Sequence, residues 1–142
     1  MKIHPIHPEE VMVYWPLVSD RLTRALSHGA GESKLCDWHK SLVNGASQLW
    51  LLTDDNLTTI VGVVLTQILT YARHKTLHIV LHEADDFKSI AHLHADLEKF
   101  ALEQGCTAVE QWGRRGWAKT LPKEISGYKE AYVVMRKELN HG

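Results

Sequence analysis

Apolar residues recur along this chain at two different periods, and the switch between them outlines its elements. Lys2 to Ile6 alternates and predicts a first strand, which Pro8 ends. Pro8-Glu9-Glu10 opens a helix, with proline in the first turn and carboxylates at its positive end. Val11, Met12 and Trp15 form its inward face, and Pro16 is expected to kink or break it. The helical period resumes from Leu17 to His28 with Leu22, Ala25 and Leu26 on one side. A further helix from Ser33 to Val43 presents Leu35, Trp38 and Leu42, and Asn44-Gly45 stops it.

The period then drops to that of strands. Gln48 to Thr53 is short and apolar, Asp54-Asp55-Asn56 is a turn, and Thr58 to Tyr71 is rich in Val, Ile and Thr, with Gly62 suggesting a bulge. Ala72 to Lys75 turns the chain into a returning strand from Thr76 to Glu83. Asp85 or Asp86 caps a long helix to Gln104, whose stripe is Phe87, Ile90, Leu93, His94, Leu97, Phe100 and Ala101. After Gly105, Thr107 to Gln111 is a strand; joined to the previous one through a helix, it should lie parallel to it. A short helix through Leu121, halted by Pro122, and a last strand from Ala131 to Lys137 complete the order.

Composition narrows the class. A chain of 142 residues, 44% of them hydrophobic, suits one domain spanning 1–142 with its own core. A formal charge of −1 provides no global field for nucleic acid or an anionic membrane, and no apolar run approaches spanning length. Cys36 and Cys106 lie far apart and read as small buried hydrophobes in a reduced compartment.

The segments Gln48-Leu49-Trp50-Leu51-Leu52, Val61-Gly62-Val63-Val64-Leu65-Thr66, Phe100 to Cys106, Gly113-Arg114-Arg115-Gly116-Trp117 and Gly127-Tyr128 carry a resemblance. In their order the chain resembles the GNAT N-acetyltransferase superfamily over nearly its whole length, and more narrowly the GNAT-like proteins of tailed bacteriophages and prophages. The resemblance implies an α/β (α+β) fold: a mixed, mostly antiparallel sheet with a central parallel pair and helices on both faces. In active members the two parallel strands splay and acetyl-CoA lies in the gap. Some phage relatives are associated with internal virion proteins.

Two departures bear on activity. Where the family has a glycine-rich loop for the cofactor diphosphate, this chain has Glu83-Ala84-Asp85-Asp86-Phe87, without glycine and with three carboxylates. Like charges there oppose a bound diphosphate. The stretch Trp117 to Leu121 also lacks the tyrosine that protonates the leaving thiolate in many members. The expectation is a phage-type GNAT-like protein, degenerate in acetyl-CoA binding and without a cofactor. It would act as a virion-associated or assembly component with phage or host proteins as partners, in the host cytoplasm or the virion. The alternative is an acetyl-CoA-dependent N-acyltransferase. Glu110 would then be the general base, and Gly113, Arg114, Arg115 and Gly116 would help to hold cofactor phosphates.

Ten histidines invite a metal reading. His74, His78 and His82 are spaced by four, but on a strand such neighbours stand roughly 13 Å apart on one face, too far to share one ion. Arg73 and Lys75 with Arg114 and Arg115 suggest at most a local anion contact, and nucleic acid is not an expected partner.

Overall fold

Strand Gln48–Thr53 (β2) has apolar side chains on both faces: Leu49 and Leu51 join one core cluster, Trp50 and Leu52 the other. A strand of this kind needs cover on both sides. In the computed structural model, which describes residues 1–27, 34–85, 87–111, 125 and 127–139 (backbone only at 87–90, 92 and 93), helices supply that cover. Chain contacts divide into two compact units, Met1–Trp112 and Gly113–Gly142.

In the first unit, β1 (Lys2–Ile6), β2, β3 (Ile60–Thr70), β4 (Lys75–Ala84) and β5 (Ala108–Gln111) form a sheet in that order. Neighbours are antiparallel except β4 and β5, which are parallel as expected from the helix between them. α1 (Val11–Leu26) and α2 (Leu35–Val43) contribute Val11, Val18, Leu22 and Leu42 to a cluster with Leu49, Leu51, Val63 and Leu65. On the other face, Leu97 and Ala101 of α3 (Phe87–Glu103) pack with Trp50, Leu52, Val64, Leu77 and Ile79. Each fully buried Leu or Val contributes about 1.5–3 kcal/mol. The indole N–H of Trp50 is buried too, and donates to Thr66 Oγ1 at 2.9 Å; Thr66 in turn donates to Gln48 Oε1 at 2.9 Å.

Several expectations change. Pro16 lies inside α1 without ending it. Pro16 and Met12, whose carbonyl loses its helical donor, are both exposed, so water can replace the missing bond. Met12 is therefore outward, whereas Val11 is buried and Trp15 partly so. Cys36 is exposed, and only Cys106 of the two is buried; burial raises its thiol pKa.

The bulge expected at Gly62 falls beside it. Leu52 pairs with Gly62 and Thr53 with Ile60, so Val61 is the extra residue. Gly62 serves close approach instead: a Cβ there would stand 2.9 Å from both Ala84 Cβ and the Glu83 carbonyl oxygen. In the second unit, Ile125 is buried, Gly127 takes φ +92°, and residues 128–139 carry no strand where Ala131 to Lys137 was expected to form one. Tyr132, Val133, Val134 and Met135 are exposed. No described helix is long and apolar enough to cross a membrane.

Candidate functional site

The β4–β5 pair organises the site. Its parallel rungs run from Thr76↔Ala108 to Ile79↔Gln111. Among the described residues, β4 continues from Val80 to Ala84 without a β5 partner. A bulge marks that point: Leu65 of β3 faces Leu81 and Thr66 faces Ile79, so Val80 is the extra residue. The bulge turns the two halves of β4 over. His78 aligns with Gln67 on the α1/α2 face, while His82 aligns with Val64 on the α3 face. His78 and His82 thus point to opposite sides of the sheet, contrary to the shared face that their spacing predicts. Burial pushes the His82 imidazole down to about 4.

At the far end of β4, the acidic corner expected to repel a diphosphate is engaged from α1. Arg21 donates to Glu83 Oε2 at 2.8 Å, Asp85 Oδ1 at 3.1 Å and the Ile60 carbonyl at 2.9 Å. Arg24 reaches Glu83 Oε1 at 3.5 Å. Burial alone would lower the Arg21 pKa; the hydrogen bonds and charges of Glu83 and Asp85 outweigh it and leave it raised. Two of the three carboxylates are therefore offset internally, which weakens the expected like-charge barrier. The backbone N–H of Asp85 donates to the Val61 carbonyl at 2.9 Å, so the corner is tied to β3 as well.

Glu110 stands one rung before the last described pair of β5, opposite His78. The rungs Gln67↔His78 and His78↔Glu110 put three polar residues in one row on the α1/α2 face. Burial lowers the His78 pKa, opposed by the Glu110 charge and by a hydrogen bond from the imidazole to the Glu110 backbone. Tyr71, two strand repeats beyond Gln67, donates its hydroxyl to Glu110 Oε1 at 3.4 Å. The Tyr71 ring lies 4.9 Å from that of His74, and the Tyr71 N–H closes the hairpin turn on the His74 carbonyl at 2.8 Å.

Of the residues expected to act, Glu110 lies on β5, opposite His78 of β4. Gly113, Arg114, Arg115 and Gly116 lie outside the described residues, as does Asp86. Arg73 in the hairpin turn and Lys75 at the start of β4 are exposed. Sequence reasoning missed Arg21 and Tyr71. Continuing the strand period from Val63 through Leu65, Gln67 and Leu69 would have placed Tyr71 on the face of Glu110.

No family model matches the sequence, and no curated protein resembles it significantly. Solved structures do match it. An aminoglycoside acetyltransferase from an uncultured soil metagenomic sample, in complex with sisomicin, is 14% identical with a TM-score of 0.69, covering 98% of this chain and 96% of its own. Ribosomal-protein-alanine N-acetyltransferase from Brucella melitensis biovar Abortus 2308 is 14% identical with a TM-score of 0.61, covering 96% and 100%. A Trypanosoma brucei acetyltransferase is 15% identical with a TM-score of 0.62, covering 97% and 99%. The fold is that of the GNAT acetyltransferases. At such identities the likeness speaks for architecture, and one scaffold hosts many functions.

Proposed function

We propose that this chain is a GNAT-type N-acyltransferase that takes its acyl group from acetyl-CoA and gives it to an amine. The position of Glu110 carries this reading: a carboxylate on β5 of the parallel pair, one rung before the last β4–β5 pair among the described residues. The residues present fit such a donor. Among the described residues the β4 backbone from Val80 to Ala84 has no partner on its β5 side, and Arg21 offsets Glu83 and Asp85. Acetyl-CoA would supply an activated thioester. Glu110 would accept the proton of the amine, directly or through water, and Arg114 and Arg115 would favour the phosphates.

A second reading is favoured by the segment Glu83 to Phe87, which has no glycine to let a diphosphate approach backbone N–H groups. In that reading the chain is a phage-type relative that has lost acetyl-CoA binding. It would serve as a virion-associated or assembly component, with phage or host proteins as partners. Calorimetric titration with acetyl-CoA separates the two. Micromolar binding that weakens in Arg114→Ala or Arg115→Ala supports the enzyme; no heat at millimolar ligand leaves the assembly reading.

A further inference from the structure

We infer that Met12 of α1 and His39 of α2, joined by Cys36 one turn before His39, form a site for a soft monovalent metal ion such as Cu(I). The site uses none of the residues of the β4–β5 pair and does not depend on the acyl-transfer reading. Its basis is a contact between donor atoms from two helices: His39 Nε2 lies 3.1 Å from Met12 Sδ. The Trp15 ring, one turn beyond Met12 on α1, meets the His39 imidazole edge-on, with centroids 4.5 Å apart and planes at 62°. Met12 and Trp15 thus fix the imidazole from α1. The ring nitrogen aimed at sulfur is one of the two that ligate metals.

The donor set selects the ion. Thioether, thiolate and imidazole suit Cu(I) and its soft relatives, whereas Mg²⁺ and Ca²⁺ take oxygen. Zn²⁺ takes four ligands from Cys, His and carboxylates, and no three such residues gather among the described residues. The carboxylate next to Cys36 in sequence, Asp37, receives the Lys34 backbone N–H at 2.8 Å. Cys36 is exposed and stands three residues before His39 on α2, the spacing that makes helical side chains neighbours. Its thiolate would complete a three-coordinate set of two sulfurs and one nitrogen. With metal bonds of about 2.0 Å to nitrogen and 2.3 Å to sulfur, the donors of a trigonal site stand about 3.7 Å apart. Met12 and His39 need only part slightly to reach that distance. Met12 is 62% exposed on an unbranched, flexible arm, so the movement costs little.

The test uses the full, untagged chain with ¹³C-labelled methionine methyls, titrated in chloride-free buffer with Ag(I), a redox-inert probe of the same softness. The methionines are Met1, Met12 and Met135, so two of them serve as internal controls. At one equivalent of silver the Met12 methyl signal should shift while those of Met1 and Met135 stay. The Kd should rise about tenfold in Met12→Leu and about a hundredfold in His39→Gln. Cys36→Ser should weaken binding yet leave the Met12 shift in place, which separates a shared site from a thiol acting alone. Should His39→Gln fail to fold, Met12→Leu, a swap of similar volume at an exposed position, carries the test. A silent Met12 methyl overturns the site, as does an equal response of all three methyls. So do Met12 and His39 variants that bind silver as tightly as wild type, or a Met12 shift produced by Zn²⁺ at the same concentration.

Discussion

Arg21 of α1 and Glu83 of β4 meet at 2.8 Å with side chains only 17% and 22% exposed, joining two segments 62 residues apart. The contact fastens the helical cover to the strand at the place where the sheet hands over to α3. Removing the arginine would leave a half-buried carboxylate beside Asp85, without the cation that holds both. Arg21→Met should cost about 3 kcal/mol in urea unfolding, because breaking a sheltered ion pair strands its partner. Adding Glu83→Gln should recover part of that loss. A single variant as stable as wild type would show that the pair contributes little.

Gly62→Ala should destabilise the chain by about 1–3 kcal/mol, as overpacking does. The new methyl meets Glu83 backbone and Ala84 Cβ, both at 2.9 Å, so no flexible side-chain end can move aside. Ala84→Gly in the same chain should restore only a fraction, since the carbonyl contact persists. Thermal melting of the three variants checks the order.

Stability should fall with acid between pH 6.5 and about 4. In the unfolded chain His82 takes its proton at the ordinary 6.5, but the folded chain resists until about 4. Within that window the unfolded state binds more protons, so the contribution is fully present above 6.5 and lost as pH drops. The full loss is about 3 kcal/mol by the size of the shift. The lowered pKa of His78 acts in the same direction. Urea midpoints at pH 7.5 and 5 should differ in the wild type and draw closer in His82→Leu, leaving the His78 share; unchanged pH dependence would clear His82.

If Glu110 accepts the proton of the amine, Glu110→Gln should lower kcat/KM for acetyl transfer to an amine by about 10²–10⁴, the range for a lost general base. Thiol release from acetyl-CoA measures it. A variant that keeps the wild-type kcat/KM would move the role elsewhere.

What could be read from the residues follows the range of the forces involved. The apolar run in Gln48 to Thr53 and the stripe through His94, Leu97 and Ala101 are local, and both were found where expected. The parallel β4–β5 pair follows from connectivity, which sequence order displays. Pro16 misled because whether a proline ends a helix depends on which carbonyl it orphans and whether water reaches it. The Arg21 contacts have no local signature, since α1 meets β4 only after the sheet has formed. Val80 is hidden for a different reason: Leu77, Ile79, Val80 and Leu81 are all apolar, so no change in pattern betrays the inserted residue. Gly113 to Gly116, the most distinctive stretch of the chain, lies outside the described residues.

That inserted residue couples strand length to electrostatics. Because Val80 is taken up as a bulge, the second half of β4 is phased so that Glu83 meets Arg21 and His82 enters the apolar side. Pairing this one valine regularly with Leu65 would exchange their destinations, sending a carboxylate into a hydrocarbon interior and an imidazole toward a guanidinium. How the backbone accommodates one neutral aliphatic residue thus decides which charges meet.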